Sequence, residues 1–154
     1  MSVLACVALG ANLGDAAAAV RQALQALGSL PYTQLVRASS LYRTAPWEAS
    51  GPDFINAVAL LHTDLPAPHL LAALQALEIA AGRERPYLNA PRTLDLDLLF
   101  YGEGHIQSPT LTVPHPRLWE RAFMLVPLAE IAPERVSAHA LQAVAGQAIE
   151  RLPG

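Results

Sequence analysis

The chain has 154 residues, 53% of them hydrophobic and 15% charged, which predicts one folded domain over residues 1–154 and excludes a disordered chain. All ten basic side chains are arginine, so chemistry that requires a lysine, such as a Schiff base or a lysine-bearing phosphate loop, is excluded. The net charge of −3 argues against a general nucleic-acid binder, which would carry a basic face.

Six elements are predicted in the order strand, helix, strand, strand, helix, strand. An apolar run over 3–9 that ends at Gly10 predicts the first strand, and Asp15 is placed to cap the helix after it. The predicted strands are 3–9, 33–43, 54–63 and 93–100, and the predicted helices are 16–28 and 65–82. This is the order of an α+β, ferredoxin-like β-α-β-β-α-β fold, in which helices pack on an antiparallel sheet. A C-terminal extension follows, with a short helix near 121–132 and a weakly amphipathic one over 138–149.

The single cysteine, Cys6, lies in the first apolar run, so a disulfide framework is excluded and a buried side chain is predicted. The first residues lack a basic segment followed by a long apolar core, and no apolar run reaches the ~20 residues of a membrane helix. We therefore expect a cytoplasmic protein.

Two aspartates lie two residues apart in the last predicted strand, in the segment "TLDLDLL". The leucines between them would face the helices, which leaves Asp95 and Asp97 side by side on the opposite face. Like charges at such positions repel each other, so a compensating cation is expected. One interpretation is a solvated sheet face. The other is a Mg²⁺ site completed by phosphates and water, or a pair of metal ions about 3.5–4 Å apart.

Basic side chains flank these aspartates in the sequence. Five of the ten arginines lie between residues 83 and 121, namely Arg83, Arg85, Arg92, Arg117 and Arg121. A guanidinium group can bind two phosphate oxygens at once. His115 lies between two prolines that stiffen its backbone. Each residue alone is more often solvated or structural, but the set indicates an enzyme that acts on a metal–nucleotide complex.

A second group of candidate residues is aromatic. Phe54 begins a predicted strand and Phe123 lies near the short C-terminal helix, where packing in the core is one interpretation. The alternative is a pair of rings around a flat heterocycle, with Asn56 hydrogen-bonded to its edge. The "TAPW" segment could add backbone groups, and its Trp47 an apolar wall. The segment "ALGANLGD" suggests a phosphate cradle, but a turn and a helix cap explain its residues.

Six segments of the chain resemble the 6-hydroxymethyl-7,8-dihydropterin pyrophosphokinase family of folate biosynthesis, in the same order from about residue 3 to 134. They are "ALGANLGD", "SSLYRTAPW", "PDFINAV", "LEIAAGRER", "PRTLDLDLL" and "LTVPHPRLWERAFMLVPLAEIAP". The resemblance implies a transferase that moves the β,γ-diphosphate of ATP to the hydroxymethyl group of the pterin and releases AMP, with two Mg²⁺ ions. It implies ATP and the pterin as partners, and neither nucleic acid nor membrane; we expect a monomer.

The resemblance also implies roles for individual residues. Asp95 and Asp97 would bind the metal ions, and they would act in catalysis together with Arg83 and Arg92. The residues implied at the ATP site are Gln75, Glu78, Arg83, Arg85, Arg92, Leu98, Thr112, His115 and Arg121. The residues implied at the pterin site are Thr44, Ala45, Pro46, Trp47, Phe54, Asn56, Asp95 and Phe123.

The segment "RERPYLNAPR" departs from the pattern of the family. It is shorter than in other members and has Asn89 and Ala90 where they carry Trp-Gly, although Tyr87 could partly replace the missing ring. We expect this loop to act as a mobile lid whose hydrogen exchange changes when an ATP analogue and the pterin bind.

Three other functions fit parts of the sequence. A ferredoxin-like RNA-binding module would need a basic sheet face, whereas this sheet carries two aspartates. A metal-dependent phosphohydrolase would use the aspartates and arginines but not the Phe and Asn residues. A regulatory small-molecule-binding domain would use the pocket without chemistry.

Overall fold

The computed structural model describes residues 2–46, 51–82 and 94–153 of the chain. Its strands are β1 (Val3–Ala11), β2 (Thr33–Ala38), β3 (Tyr42–Thr44), β4 (Phe54–Thr63), β5 (Asp95–Tyr101), β6 (Ile106–Gln107), β7 (Thr112–Val113) and β8 (Glu150–Arg151). Its α-helices are α1 (Ala16–Gly28), α2 (Ala67–Ala80), α3 (Ala122–Ile131) and α4 (Ala138–Ala143). In these described ranges, no helix is both long and apolar enough to cross a membrane.

One antiparallel sheet of six strands organises the fold. The strand order is β5-β1-β4-β3-β8, and β2 pairs with the part of β4 that β3 leaves open. The two longest strands, β1 and β4, pair along their whole shared length and form the centre of the sheet. A separate ribbon of β6 and β7 follows β5. The predicted α+β fold with an antiparallel sheet is confirmed.

Apolar side chains fill both faces of this sheet. On one face α1 and α2 cover the odd-numbered residues of β1 and β4 together with Leu94, Leu96 and Leu98, as predicted for these leucines. The opposite face is called the α3 face here; its buried residues under α3 are Cys6, Ala8, Val58, Leu60, Leu99 and Phe100. The C-terminal extension therefore supplies the second layer of helix that buries the other side of the sheet.

The predicted strand over 33–43 is wrong, because the chain forms two strands with a break at Ser39. The backbone amide of Ser39 donates to the carbonyl of Val58, and its hydroxyl accepts from the amide of Val58, both at 2.9 Å. The same hydroxyl donates to the carbonyl of Ser40 at 2.7 Å. A serine side chain thus replaces a backbone group in the ladder, which ends β2 before β3 begins.

Other predicted bounds also differ from the structure: α2 runs over Ala67–Ala80 where the sequence predicts 65–82, and β5 runs over Asp95–Tyr101 where it predicts 93–100. The first strand continues past Gly10 to Ala11, because Gly10 pairs with a neighbouring strand on each side. The last predicted helix ends at Ala143 instead of continuing to 149. The amide of Gln147 turns back to the carbonyl of Val144, and its side chain binds the amide of Ala122 at 2.9 Å. The residues after α4 therefore tie the chain to the start of α3 rather than extending a helix.

Candidate active site

The two aspartates lie next to each other on the α3 face, at the outer strand of the sheet. Asp95 pairs with Gly10 and Asp97 with Ala8, so both side chains leave the same side of β5. Each carboxylate is half-buried. Within residues 2–46, 51–82 and 94–153, no group of three or more His, Cys, Asp or Glu residues could hold a metal. Two carboxylates still fit Mg²⁺, which takes one or two of them and fills its remaining positions with phosphate and water.

Two contacts fix the outer edge of β5, the strand that carries these acids. The amide of Leu96 donates to the carboxylate of Glu78 at 2.8 Å, and Glu78 is only 3% exposed. The amide of His115 donates to the carbonyl of Leu99 at 2.7 Å. Glu78, which the resemblance places at the ATP site, therefore lies at the outer edge of the strand and holds the backbone between the two aspartates.

A cleft of about 260 Å³ opens along this edge. Its lining includes four residues of the predicted site: Asp97, Leu98, Thr112 and His115. The remaining lining comes from Leu96 of β5, from α2, from the β6–β7 ribbon and from Pro116. Gln75 is exposed on α2 and does not line this cleft. The structure thus joins one of the acids to three of the six described residues predicted to contact ATP.

Positive charge collects around His115. Burial lowers the pKa of His115 from its ordinary value, the nearby charges of Arg117 and Arg121 lower it further, and the charge of Asp95 partly opposes them. Its Nδ1 accepts from the amide of Arg117 at 3.1 Å. Arg121 is 8% exposed, whereas the side chain of Arg117 is 59% exposed. A buried guanidinium and a neutral imidazole close to a carboxylate form a suitable environment for phosphate oxygens.

Of the predicted pterin residues of β3 and β4, Asn56 lies in the same row of the α3 face as Asp95, and Thr44 and Phe54 form the next pair. Gly10 of β1 pairs with Asp95 on one side and with Asn56 on the other. The Nδ2 of Asn56 donates to the Oγ1 of Thr44 at 2.7 Å. In the ranges that the structure describes, no donor reaches the Oδ1 of Asn56, although this side chain is 4% exposed. A buried acceptor of this kind needs a partner, which a ligand can supply.

The two phenylalanines lie on the same side of the sheet. Phe54 shares the α3 face with Asn56, since both are even-numbered residues of β4, and Phe123 lies in the first turn of α3. Both rings are half-buried rather than fully packed into the core. After β3 the chain continues through exposed Ala45 and half-buried Pro46. The predicted residues that lie outside the described ranges are Trp47, Arg83, Arg85 and Arg92, together with the predicted lid.

A polar cluster connects α3 to β3 beside this site, and its members were not among the predicted residues. Glu130 of α3 accepts from the hydroxyl of Tyr42 at 2.7 Å, from the amide and hydroxyl of Ser40, and from Arg151 at 3.2 Å. It connects the helix that carries Phe123 to the strand that carries Thr44. Tyr42 and Glu130 are 88 residues apart in the chain, so no local pattern signals the contact.

The charge of Glu130 is stabilised inside this cluster. Burial would raise its pKa, but hydrogen bonds from Tyr42 and Ser40 and the charge of Arg151 outweigh burial and hold the pKa below its ordinary value of 4.5. For Tyr42, burial and the hydrogen bond to Glu130 raise the pKa to about 12. The pair therefore consists of a carboxylate and a neutral phenol at neutral pH.

Glu130→Gln is expected to lower the free energy of unfolding by about 2 kcal/mol at pH 7, because charge-assisted hydrogen bonds are lost. Since folding lowers the pKa of Glu130, its contribution is present above its unfolded pKa and is lost as the pH falls through the folded pKa. Urea unfolding at pH 7 and near pH 3 measures this difference. Glu150→Gln is the control, because the Arg43–Glu150 pair is exposed and contributes little. Equal losses in both variants would contradict the prediction.

Comparison with known proteins finds one matching family and similar bacterial chains. Residues 6–133 match the family described as 7,8-dihydro-6-hydroxymethylpterin-pyrophosphokinase. The chain is 45% identical over 155 residues to the 2-amino-4-hydroxy-6-hydroxymethyldihydropteridine pyrophosphokinase of Pseudomonas aeruginosa, covering 96% of each chain. It is 42% identical over 135 residues to the Haemophilus influenzae enzyme of the same name, covering 87% of this chain and 84% of that one.

Solved structures with a similar fold match this chain at lower sequence identity. The crystal structure of wild-type Plasmodium falciparum HPPK-DHPS with pteroate aligns with a TM-score of 0.66 at 13% identity. The alignment covers 84% of this chain and 41% of that chain, so this chain corresponds to less than half of the longer protein. The match over residues 6–133 and the high identity to bacterial relatives lead to one conclusion: the chain belongs to the 7,8-dihydro-6-hydroxymethylpterin-pyrophosphokinase family.

Proposed function

We propose that this chain transfers the β,γ-diphosphate of ATP to the hydroxymethyl group of 6-hydroxymethyl-7,8-dihydropterin, giving the pterin diphosphate and AMP, a step of folate biosynthesis. The observation that supports this most is the row Asp95–Gly10–Asn56 on the α3 face. It brings a candidate metal ligand and a buried amide within two strand spacings of each other.

The pterin binds between the rings of Phe54 and Phe123, and its edge meets Asn56. The amide of Asn56 is held by Thr44 at 2.7 Å, which leaves its Oδ1 for a donor on the heterocycle. Both rings are half-buried, so each has a surface that a flat ligand can cover. Trp47 and the backbone of Thr44 to Pro46 complete the pocket in this proposal.

ATP binds in the cleft along β5, with its phosphates directed towards the acids. Asp95 and Asp97 would hold two Mg²⁺ ions, which would supply positive charge to neutralise the transferred and departing phosphates. Arg121 and His115 bind phosphate oxygens, and in this proposal Arg83, Arg85 and Arg92, which follow α2 in the sequence, do the same. Thr112 and Leu98 line the nucleotide cleft.

The transfer needs no covalent intermediate on the protein. The hydroxymethyl oxygen of the pterin forms a bond to the β-phosphorus, the bond from that phosphorus to the oxygen bridging to the α-phosphate breaks, and AMP leaves with the oxygen. The hydroxyl proton is released, and no side chain is assigned as its acceptor. The residues contribute by holding the two substrates in line and by matching the charge that develops.

Incubation with Mg²⁺, ATP and the reduced hydroxymethylpterin tests this function directly. We expect AMP and the pterin diphosphate in equal amounts, and no AMP when the pterin is left out. Release of phosphate without the pterin would indicate a phosphohydrolase instead, and binding without turnover would indicate a regulatory module.

We also propose that the protein is a monomer and that it is cytoplasmic. A reaction that consumes ATP supports a compartment that contains it. Size-exclusion chromatography with light scattering tests the first proposal, and fractionation of the source cells tests the second.

A further inference from the structure

Gly10 lies inside the central strand of the sheet, between the two halves of the candidate site. It pairs with Asp95 on one side and with Asn56 on the other. Elsewhere on the α3 face of β1, Cys6 and Ala8 are buried under α3. At Gly10 the strand has no side chain, although Gly10 is buried in the row from Asp95 to Asn56.

The backbone conformation does not explain a glycine at this place. Four glycines of the described chain have positive φ, namely Gly14, Gly51, Gly82 and Gly102, and Gly10 is not one of them. A glycine inside a strand weakens it, because it costs more conformational entropy and packs no side chain. Close approach of another group is the remaining reason for a glycine in a strand.

The group that approaches Gly10 is the side chain of Asn56. A Cβ atom on Gly10 would lie 3.1 Å from Asn56 Oδ1 and 3.7 Å from Cδ1 of Phe54. The other end of the Asn56 amide is held by Thr44, so the amide has little freedom to move aside. A methyl group here would therefore push the carbonyl oxygen that the pterin is proposed to meet.

We propose that Gly10 is a positioning residue for the pterin: its missing side chain lets the Asn56 carbonyl lie close against β1, in the place where it meets the substrate. Neighbouring strands are about 4.8 Å apart, so the row spans about 10 Å, a length comparable with a fused bicycle and its hydroxymethyl arm. This inference rests on the proposed pterin site at Asn56. It assigns to "ALGANLGD" a role in substrate geometry beyond its turn and helix cap.

Gly10→Ala tests the inference with the smallest added group. We expect the dissociation constant of the pterin, measured with Mg²⁺ and a non-hydrolysable ATP analogue present, to rise about tenfold, because a displaced contact at a reacting substrate is costly. The affinity for the analogue and the unfolding temperature should stay unchanged. Gly28→Ala is the matched control, because its added Cβ makes an ordinary contact of 3.5 Å with Leu35. Unchanged pterin affinity, or a clear loss of folding in Gly10→Ala alone, would overturn the inference.

A double-mutant cycle with Asn56→Ala separates this inference from the proposed function. If Gly10 acts through the amide, Gly10→Ala should have little further effect on pterin affinity once Asn56 is alanine. Additive losses would overturn the inference and leave the pterin site at Asn56 intact. If Asn56→Ala alone leaves the pterin affinity unchanged, the proposed pterin site at Asn56 is wrong, and the role inferred for Gly10 is wrong too.

Discussion

Replacing Asp97 by asparagine is expected to reduce turnover about 10³-fold while the protein stays folded. The substitution keeps the size of the side chain but removes a charged oxygen ligand beside Asp95 on the α3 face. Removing this charge also relieves a repulsion between like charges within β5, so the substitution should not destabilise the fold. The unfolding temperature should therefore change little. AMP formation at saturating ATP, pterin and Mg²⁺ measures the first effect, and thermal unfolding measures the second.

Asp64→Asn provides the control for this experiment, because it makes the same chemical change just after the far end of β4. Asp64 accepts from the hydroxyl of Ser2 at 2.9 Å and has no part in the proposed site. Its turnover should equal that of the unchanged protein. Near-normal activity of Asp97→Asn at saturating Mg²⁺ would mean that the metal ligands lie elsewhere.

The second large effect is expected for Arg121→Lys, with kcat/KM for ATP about 10²-fold lower even though the charge is kept. Arg121 is 8% exposed at the start of α3, and its charge lowers the pKa of His115. A lysine ammonium cannot reproduce the planar pair of donors that binds two phosphate oxygens. Steady-state kinetics with varied ATP at fixed pterin measures the loss.

Arg117→Lys is the matched comparison four residues earlier in the chain. The side chain of Arg117 is 59% exposed and pairs with Glu120 at 3.6 Å, so it contributes little to either stability or binding. We expect nearly unchanged kinetics for this variant. Similar losses in both variants would show that the effect follows general charge near His115 rather than a specific contact of Arg121.

Much of the fold could be predicted from the sequence because its signals are local. Asp15 caps α1 by accepting from the amide of Ala18 at 3.1 Å, as its place before the Ala-rich run predicts. The alternation in "TLDLDLL" predicts that the aspartates share one face, because successive side chains of a strand alternate. These patterns depend on neighbours a few residues apart, and no tertiary contact reverses them.

The errors in the predicted elements come from contacts between distant residues. Ser39 divides the predicted strand 33–43 because its side chain and backbone both bind Val58 of β4. The strand from 3 continues through Gly10 because β4 and β5 pair with it on both sides. Serine and glycine have a low propensity for strands and therefore predict strand ends, but pairing within the sheet outweighs that local preference.

The order of elements, the shared face of Asp95 and Asp97 and the membership in a family follow from the sequence, because they depend on periodicity and on contiguous segments. The contacts that join the site depend on tertiary packing: the row through Gly10, the burial of Glu78 at the outer edge of β5, and the contacts of Glu130 across 88 residues of chain. Strand register and helix docking set such distances, and both depend on how the whole core packs.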